Sequence, residues 1–149
     1  MASRMVKRNF SEDEYMRGWL KRAHQDENAV VRRFWKRGFP ALRLPVSGGH
    51  TLFKGDVFAF ENGAVHLILV RRSENPKAEK IVFKEYEIKD VFAVASRIQS
   101  LIFPTRVIVS LIVHYLRIEI KGDRKIRHWT WKDIPLTDWK GGDVVVKLK

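Results

Sequence analysis

Residues 55–72 read GDVFAFENGAVHLILVRR, and this stretch decides the fold. Two apolar runs flank Asn62-Gly63, and Asn-Gly between two such runs is the strongest short-range signal for a β-hairpin. Asp56 opens the first run, whereas Arg71 and Arg72 close the second. Because side chains alternate along a strand, at most one of these arginines points into a site shared with Asp56.

Helical and extended segments alternate on both sides of this hairpin. Apolar residues at helical spacing predict helices over about 11–37 and 85–97. Ser11 and Glu14 form a capping-box pattern at the start of the first helix, which the sequence allows to break near His24. The apolar stripe of that helix consists of Val30, Val31, Phe34 and Trp35. Strands are predicted over about 41–46, 56–61, 64–72, 80–83, 106–120 and 126–131, and the tail after 135 stays unassigned. This order predicts an α/β protein with a mixed central β-sheet flanked by helices.

The charge of the chain favours a polyanionic partner. Lys and Arg number 29 against 17 Asp and Glu, for a formal charge of +12. Both ends of the chain are basic, and its middle third is nearly balanced. Such an excess favours DNA, RNA or an anionic membrane surface, and the alternative is a basic surface that serves only solubility. We expect a basic N-terminal extension at residues 1–20 and a single domain over residues 21–149.

Several classes of protein are disfavoured by the absence of particular features. The chain has no cysteine, which excludes disulfides, thiolate zinc sites and cysteine nucleophiles and suits a cytoplasmic protein. Residues 1–10 are polar and basic, unlike a signal peptide. The apolar stretch 101–118 is interrupted by Pro104, Arg106 and His114, so we interpret it as a buried strand after a helix end. No membrane partner is therefore expected.

Three segments together resemble a known family. They are RAHQDENAVVRRFWKRGFPALRLPVSG (22–48), the hairpin stretch (55–72) and KIVFKEYEIKDVFAVASRI (80–98). In their order and spacing they resemble the archaeal Holliday junction resolvases of the Hjc family, over about residues 20–131. The resemblance implies a PD-(D/E)xK, restriction-endonuclease-like fold. It also implies branched DNA such as four-way junctions as substrate, a homodimer, and a role in DNA recombination and repair.

The resemblance also places the family's active-site positions on this chain. In such nucleases a helix glutamate, an aspartate and a Glu-x-Lys on the next strand surround a divalent metal. Glu27 falls at the glutamate and Asp56 at the aspartate, although Gly55 stands where the family usually has proline. The Glu-x-Lys falls on Leu69-Val70-Arg71. Leucine offers no oxygen ligand, so metal binding and cleavage should be impaired, whereas arginine keeps its charge and its affinity for phosphate.

We therefore expect a structure-specific protein that binds four-way junctions with little or no nuclease activity. No cofactor is expected, unless an active site persists and binds Mg²⁺. The relic catalytic positions are Glu27, Asp56 and Arg71, and the first two are the candidate metal ligands. The candidate DNA-binding residues are Arg22, Arg43, Ser47, His50, Lys54 and Arg72.

Two alternatives stay open. One is an active Mg²⁺-dependent Holliday junction endonuclease that completes a rearranged site with another acid, such as Glu61 or Glu119. Glu119-Ile120-Lys121 also spells Glu-x-Lys, although we favour an exposed Glu119 and Lys121 alternating with a buried Ile118 and Ile120. The other is a non-catalytic subunit that pairs with an active resolvase, or with another recombination or repair protein, and modulates it.

Overall fold

The structure, a computed structural model, describes residues 12–44 and 55–148. Within these residues the chain forms helices α1 (Glu12–Lys36) and α2 (Glu85–Ile102). Its strands are β1 (Ala41–Arg43), β2 (Val57–Glu61), β3 (Ala64–Ser73), β4 (Lys80–Phe83), β5 (Arg106–Lys121), β6 (Arg124–Pro135) and β7 (Val144–Lys147).

The main sheet has five strands in the order β1-β2-β3-β5-β6. Strands β3 and β5 are parallel, and α2 lies in the crossover between them, whereas the other pairs in this sheet are antiparallel. Strands β4 and β7 pair separately in an antiparallel two-stranded sheet. This mixed sheet with its helices confirms the predicted α/β class.

The hairpin between β2 and β3 forms where the sequence predicts it. Asn62 and Gly63 have φ values of 51° and 74°, and a type I′ turn needs positive φ at both central positions. The turn sets a register that pairs Val57 with Ile68. One residue further along the same register, Asp56 lies opposite Leu69. The turn thereby fixes which residue of β3 faces the aspartate.

Each face of the sheet buries one helix. Helix α1 covers one face, and its buried residues Val30 and Phe34 pack against Val57, Ala59, Ile68, Val70 and Ile112. Helix α2 covers the other face, together with β4 and β7, through Ile88, Val91, Ala95, Phe83 and Val146. Burying each valine, isoleucine or phenylalanine side chain in these clusters stabilises the fold by roughly 1.5–3 kcal/mol. Because Leu69 belongs to the second cluster, its side chain points to the α2 face.

Helix α1 differs from its prediction in two respects. It is continuous through His24, where the sequence allows a break, because the helix contains no proline. Trp35 was placed on the apolar stripe, yet it is 58% exposed. Its Nε1 donates to the carbonyl of Ala41 at 2.8 Å, which fixes the ring over β1 rather than in the core. Ser11 lies outside the described residues.

Three further elements differ from the sequence interpretation. Helix α2 continues to Ile102, five residues past the predicted end. The unassigned tail contributes β7, which pairs with β4. Ile118 and Ile120, expected to be buried, are 37% and 71% exposed, because β5 and β6 extend beyond the strand and helices that would cover them.

No helix in the described part of the chain is long and apolar enough to cross a membrane.

Candidate functional site

Three elements bring Glu27, Asp56 and Arg71 together at one end of the sheet. Glu27 lies on α1, Asp56 precedes β2, and Arg71 lies near the end of β3. Oδ2 of Asp56 accepts a hydrogen bond from the backbone N–H of Val70 at 2.8 Å. Nη1 of Arg71 lies 3.6 Å from the same oxygen. The negative charge of Asp56 also acts on Glu27, so all three predicted positions share one electrostatic environment.

Glu27 is a buried carboxyl group with few polar contacts to stabilise its charge. It is only 5% exposed, and its Oε2 has no hydrogen-bond partner among the described residues. Among the described residues the nearest cation is Arg43, whose Nη1 lies 3.7 Å from that oxygen. Burial, and then the negative charge of Asp56, raise the pKa of Glu27 to about 7. Near neutral pH this group is therefore divided between its protonated and ionised forms.

Asp56 is held more firmly than Glu27. Burial raises the pKa of Asp56, while the hydrogen bond from Val70 and the charge of Arg71 act in the opposite direction. His24, one helical turn before Glu27, also lowers the pKa of Asp56 and therefore faces the same site. Its Nε2 is buried without a hydrogen-bond partner in the described part of the chain. The sequence showed no ligand spacing around His24, so its position here was not foreseen.

A third carboxylate reaches this site from α2. Oε1 of Glu87 lies 2.9 Å from Nη2 of Arg71, and its charge raises the pKa of Asp56. Arg71 thus lies between two carboxylates, with its guanidinium carbon 5.5 Å from the ring centroid of Phe83. Sequence reasoning missed Glu87. The available signal was the βαβ crossover, which returns the first turn of α2 to the end of β3.

The site does not fit a divalent metal. Leu69, opposite Asp56, is 6% exposed and packs in the α2-side core, so it offers an apolar side chain where the resemblance requires an oxygen. Across residues 12–44 and 55–148, no group of three or more His, Asp or Glu side chains is arranged to hold a metal ion. The guanidinium of Arg71 places a fixed positive charge between Asp56 and Glu87, which repels a second cation.

A second polar network lies on the opposite face of β3. Asp26 is 4% exposed. Its Oδ1 lies 2.8 Å from Nδ1 of His114 and 3.2 Å from Nη1 of Arg72. Arg72 also lies over the ring of Trp129, 4.5 Å from its centroid. His114 stacks on Trp131, with centroids 3.9 Å apart. The network fixes α1 against β3 and β5, and the opposite orientations of Arg71 and Arg72 confirm the predicted alternation.

The predicted DNA-binding residues fall into three groups. Arg22 and Arg72 both contact Glu74, each through Nε at 3.1 Å, and so belong to the second network. Arg43 faces Glu27 beside Asp56. The remaining candidates, Ser47, His50 and Lys54, lie outside the described residues. A role for any of the six in binding DNA stays a prediction.

The two alternative acids lie away from Asp56. Glu61 is at the far end of β2, where its Oε1 lies 2.9 Å from Nη1 of Arg37. Glu119 lies beyond the end of β3, with its Oε2 2.7 Å from Nε2 of His128. Neither carboxylate faces the site, so a rearrangement built on Glu61 or Glu119 has no geometric support.

Comparison with known proteins agrees with the resemblance. The family described as archaeal Holliday junction resolvase (hjc) matches residues 20–127. The chain belongs to the archaeal Holliday junction resolvase family. The Hjc family implies Holliday junction DNA as the partner and DNA recombination as the setting. A solved structure of Hjc from Archaeoglobus fulgidus, a Holliday junction resolvase, is 18% identical to this chain. Its match covers 79% of this chain and 82% of that chain, with a TM-score of 0.49. No curated protein matches.

Proposed function

We propose that this Hjc-family protein binds four-way DNA junctions as a homodimer and cleaves them poorly or not at all. One observation supports the proposed loss of cleavage. At the register position opposite Asp56 stands Leu69, and the neighbouring Arg71 is bound to Glu87. The strand position opposite Asp56 therefore offers no oxygen donor, and the third carboxylate, Glu87, is already bound to a guanidinium that stands where a metal-dependent nuclease needs its ion.

Retained DNA binding is supported by charge. The chain carries a formal charge of +12, and its exposed basic side chains attract the phosphate backbone. Preference for a junction over linear duplex arises from the shape of the branched DNA, because phosphate contacts carry no sequence information. A symmetric dimer presents two equal basic faces about one axis, which matches the two-fold symmetry of a four-way junction.

The local electrostatics of the site are consistent with phosphate binding. Near neutral pH, Glu27 is partly protonated because of its raised pKa, which reduces the negative charge beside an approaching phosphate. Arg43 and Arg71 are both about one-third exposed and lie at the edge of the site. A phosphate oxygen would be an additional partner for each of these guanidinium groups.

A gel assay separates binding from cleavage. The unaltered protein is incubated with a four-way junction and with a linear duplex of the same sequence, each with and without Mg²⁺. We expect a shifted junction complex in all conditions, weak duplex binding and no metal-dependent product. Light scattering of the same samples measures the dimer.

Rapid Mg²⁺-dependent cleavage would contradict the proposal. An Asp56→Asn variant then shows whether the cleavage belongs to this site rather than to a contaminating nuclease. Loss of the same cleavage in Glu87→Gln, but not in Glu61→Gln, would assign the third carboxylate to α2. Equal affinity for junction and duplex would contradict the structure-specific part of the proposal.

A further inference from the structure

Strands β5 and β6 continue as a two-stranded ribbon past the end of the sheet. The β3–β5 register ends where Ser73 lies opposite Tyr115, whereas β5 and β6 remain paired almost to the turn at Gly122. This β5–β6 ribbon (residues 116–129) extends about 20 Å beyond β3, at the usual rise per strand residue. Because β3 and β5 are parallel, it projects from the end of the sheet that carries Arg71.

The outer part of the ribbon is not held against the other described elements of the protein. Within the described chain, no side chain from Ile118 to His128 makes a hydrogen bond or ion pair outside the ribbon. Within the ribbon, the carboxylate of Glu119 lies 2.7 Å from Nε2 of His128 and 3.9 Å from Nζ of Lys121. The ribbon surface is therefore available to a partner.

Unpaired positive charge dominates that surface. Arg124, Lys125 and Arg127 are exposed, and none of them pairs with a described carboxylate. Asp123 in the turn offsets one of these charges, and Glu119 is already occupied by its two ribbon partners. A protruding element with unpaired cations creates a local positive potential that attracts polyanions.

One face of the ribbon is free of acidic residues. The register pairs Ile118 with Arg127 and Ile120 with Lys125, and directly paired residues share a face of the sheet. This face continues the α1 side, to which Ile112 belongs. A second copy docked on the same face by two-fold symmetry would set cations against cations. A phosphate backbone supplies the opposite charge that this face lacks.

We propose that the β5–β6 ribbon is a second DNA-contacting element that lays Lys125 and Arg127 on the phosphates of a junction arm. The inference rests on the junction binding proposed above. A two-stranded ribbon fits the major groove, and its cations contact phosphates without reading sequence. The two cations lie roughly 15–25 Å beyond Arg71 along the strand direction, so they contact the arm outside the relic site.

Salt dependence of junction affinity tests the ribbon directly. The double variant Lys125→Gln/Arg127→Gln is compared with the matched control Arg97→Gln/Arg106→Gln, which removes two exposed cations from the opposite end of α2 and β5. Each lost phosphate contact lowers the slope of log affinity against log salt by about 1, so we expect a decrease of about 4 for the ribbon variant of the proposed dimer, from two contacts in each protomer. The control should keep the slope of the unaltered protein.

Each result has a definite meaning. Equal slopes for the ribbon variant and the control overturn the ribbon proposal and leave junction binding intact. Failure of the unaltered protein to bind any DNA overturns both proposals. If the ribbon variant loses affinity because it becomes a monomer by light scattering, the ribbon is a subunit interface and the DNA contact is wrong.

Cross-linking supplies an independent readout. The chain has no cysteine, so Lys125→Cys and Arg97→Cys each create a unique attachment point for a photoactivatable aryl azide. We expect the label at position 125 to cross-link to the duplex arms of a four-way junction and the label at position 97 to give none. Cross-linking at equal yield from both positions contradicts the proposal.

Discussion

Nη2 of Arg71 on β3 lies 2.9 Å from Oε1 of Glu87 in the first turn of α2. Nη1 of the same guanidinium lies 3.6 Å from Asp56, so one built-in cation serves carboxylates from two different elements. A lysine in this position would present a compact charge on a flexible stem, whereas arginine presents a planar group that reaches both partners at once. Arg71 therefore gives both carboxylates a permanent counterion.

Removing this counterion should destabilise the protein. In Arg71→Met, Asp56 and Glu87 lose their shared cation, and we expect the free energy of unfolding to fall by about 1–2 kcal/mol, since Arg71 is partly exposed. Urea denaturation measures the change. In a double-mutant cycle, Glu87→Gln should cost less in the Arg71→Met background than in the unaltered protein. Additive effects of the two substitutions would contradict the pairing.

Glu27 should make stability depend on pH. Its pKa is about 7 in the folded protein against 4.5 when unperturbed, so the folded state binds more protons than the unfolded state between these values. Stability therefore falls as pH rises from 4.5 to 7, by up to about 3 kcal/mol, and the loss persists above pH 7. Glu27→Gln cannot ionise, so its stability relative to the unaltered protein should increase from pH 5 to pH 8 in urea titrations. A constant Glu27→Gln effect across this range would refute the expectation.

Local signals in the sequence were sufficient to predict those features of the fold that depend on neighbouring residues. The Asn62-Gly63 turn determined its own type, the register of β2 and β3, and hence the pairing of Asp56 with Leu69. Family resemblance added Glu27, which lies 29 residues before Asp56 in sequence and beside it in space. Neither kind of signal required knowledge of the rest of the sheet.

Contacts between residues far apart in the sequence could not be predicted from such local signals. Asp26 and His114 are 88 residues apart, and nothing in their own neighbourhoods marks them as partners. In the sequence, Glu87 has the features of an ordinary acidic residue in the first turn of a helix. Only the β3–α2–β5 crossover places it beside Arg71. Ile120 was assigned to the core by strand alternation, which indicates a face but not whether another element covers that face.

The second network should be essential to the docking of α1. Asp26→Ala leaves His114 and Arg72 without their buried partner, and we expect a loss of about 2–4 kcal/mol in the free energy of unfolding. Asp26→Asn, which keeps the shape and one acceptor, should lose less. Thermal and urea denaturation check both variants against Asp90→Ala, an exposed control expected to stay within about 0.5 kcal/mol. An Asp26→Ala variant as stable as that control would mean that the network does not hold the helix.

A carboxylate introduced at position 69 should permit metal-dependent cleavage. Leu69 lies opposite Asp56, so the carboxylate of Leu69→Glu would lie beside that aspartate, and Arg71→Lys would remove the guanidinium that pairs with it. We expect the Leu69→Glu/Arg71→Lys variant to cleave four-way junctions with Mg²⁺ roughly tenfold or more faster than the unaltered protein. Placing an acid in the α2-side core lowers stability by about 2–4 kcal/mol, so the assay is run below the melting transition. The matched control is Leu69→Gln/Arg71→Lys, which has the same size without the charge. If the glutamine variant cleaves equally well, or if neither variant exceeds the unaltered protein, then Leu69 is not what prevents hydrolysis in this site.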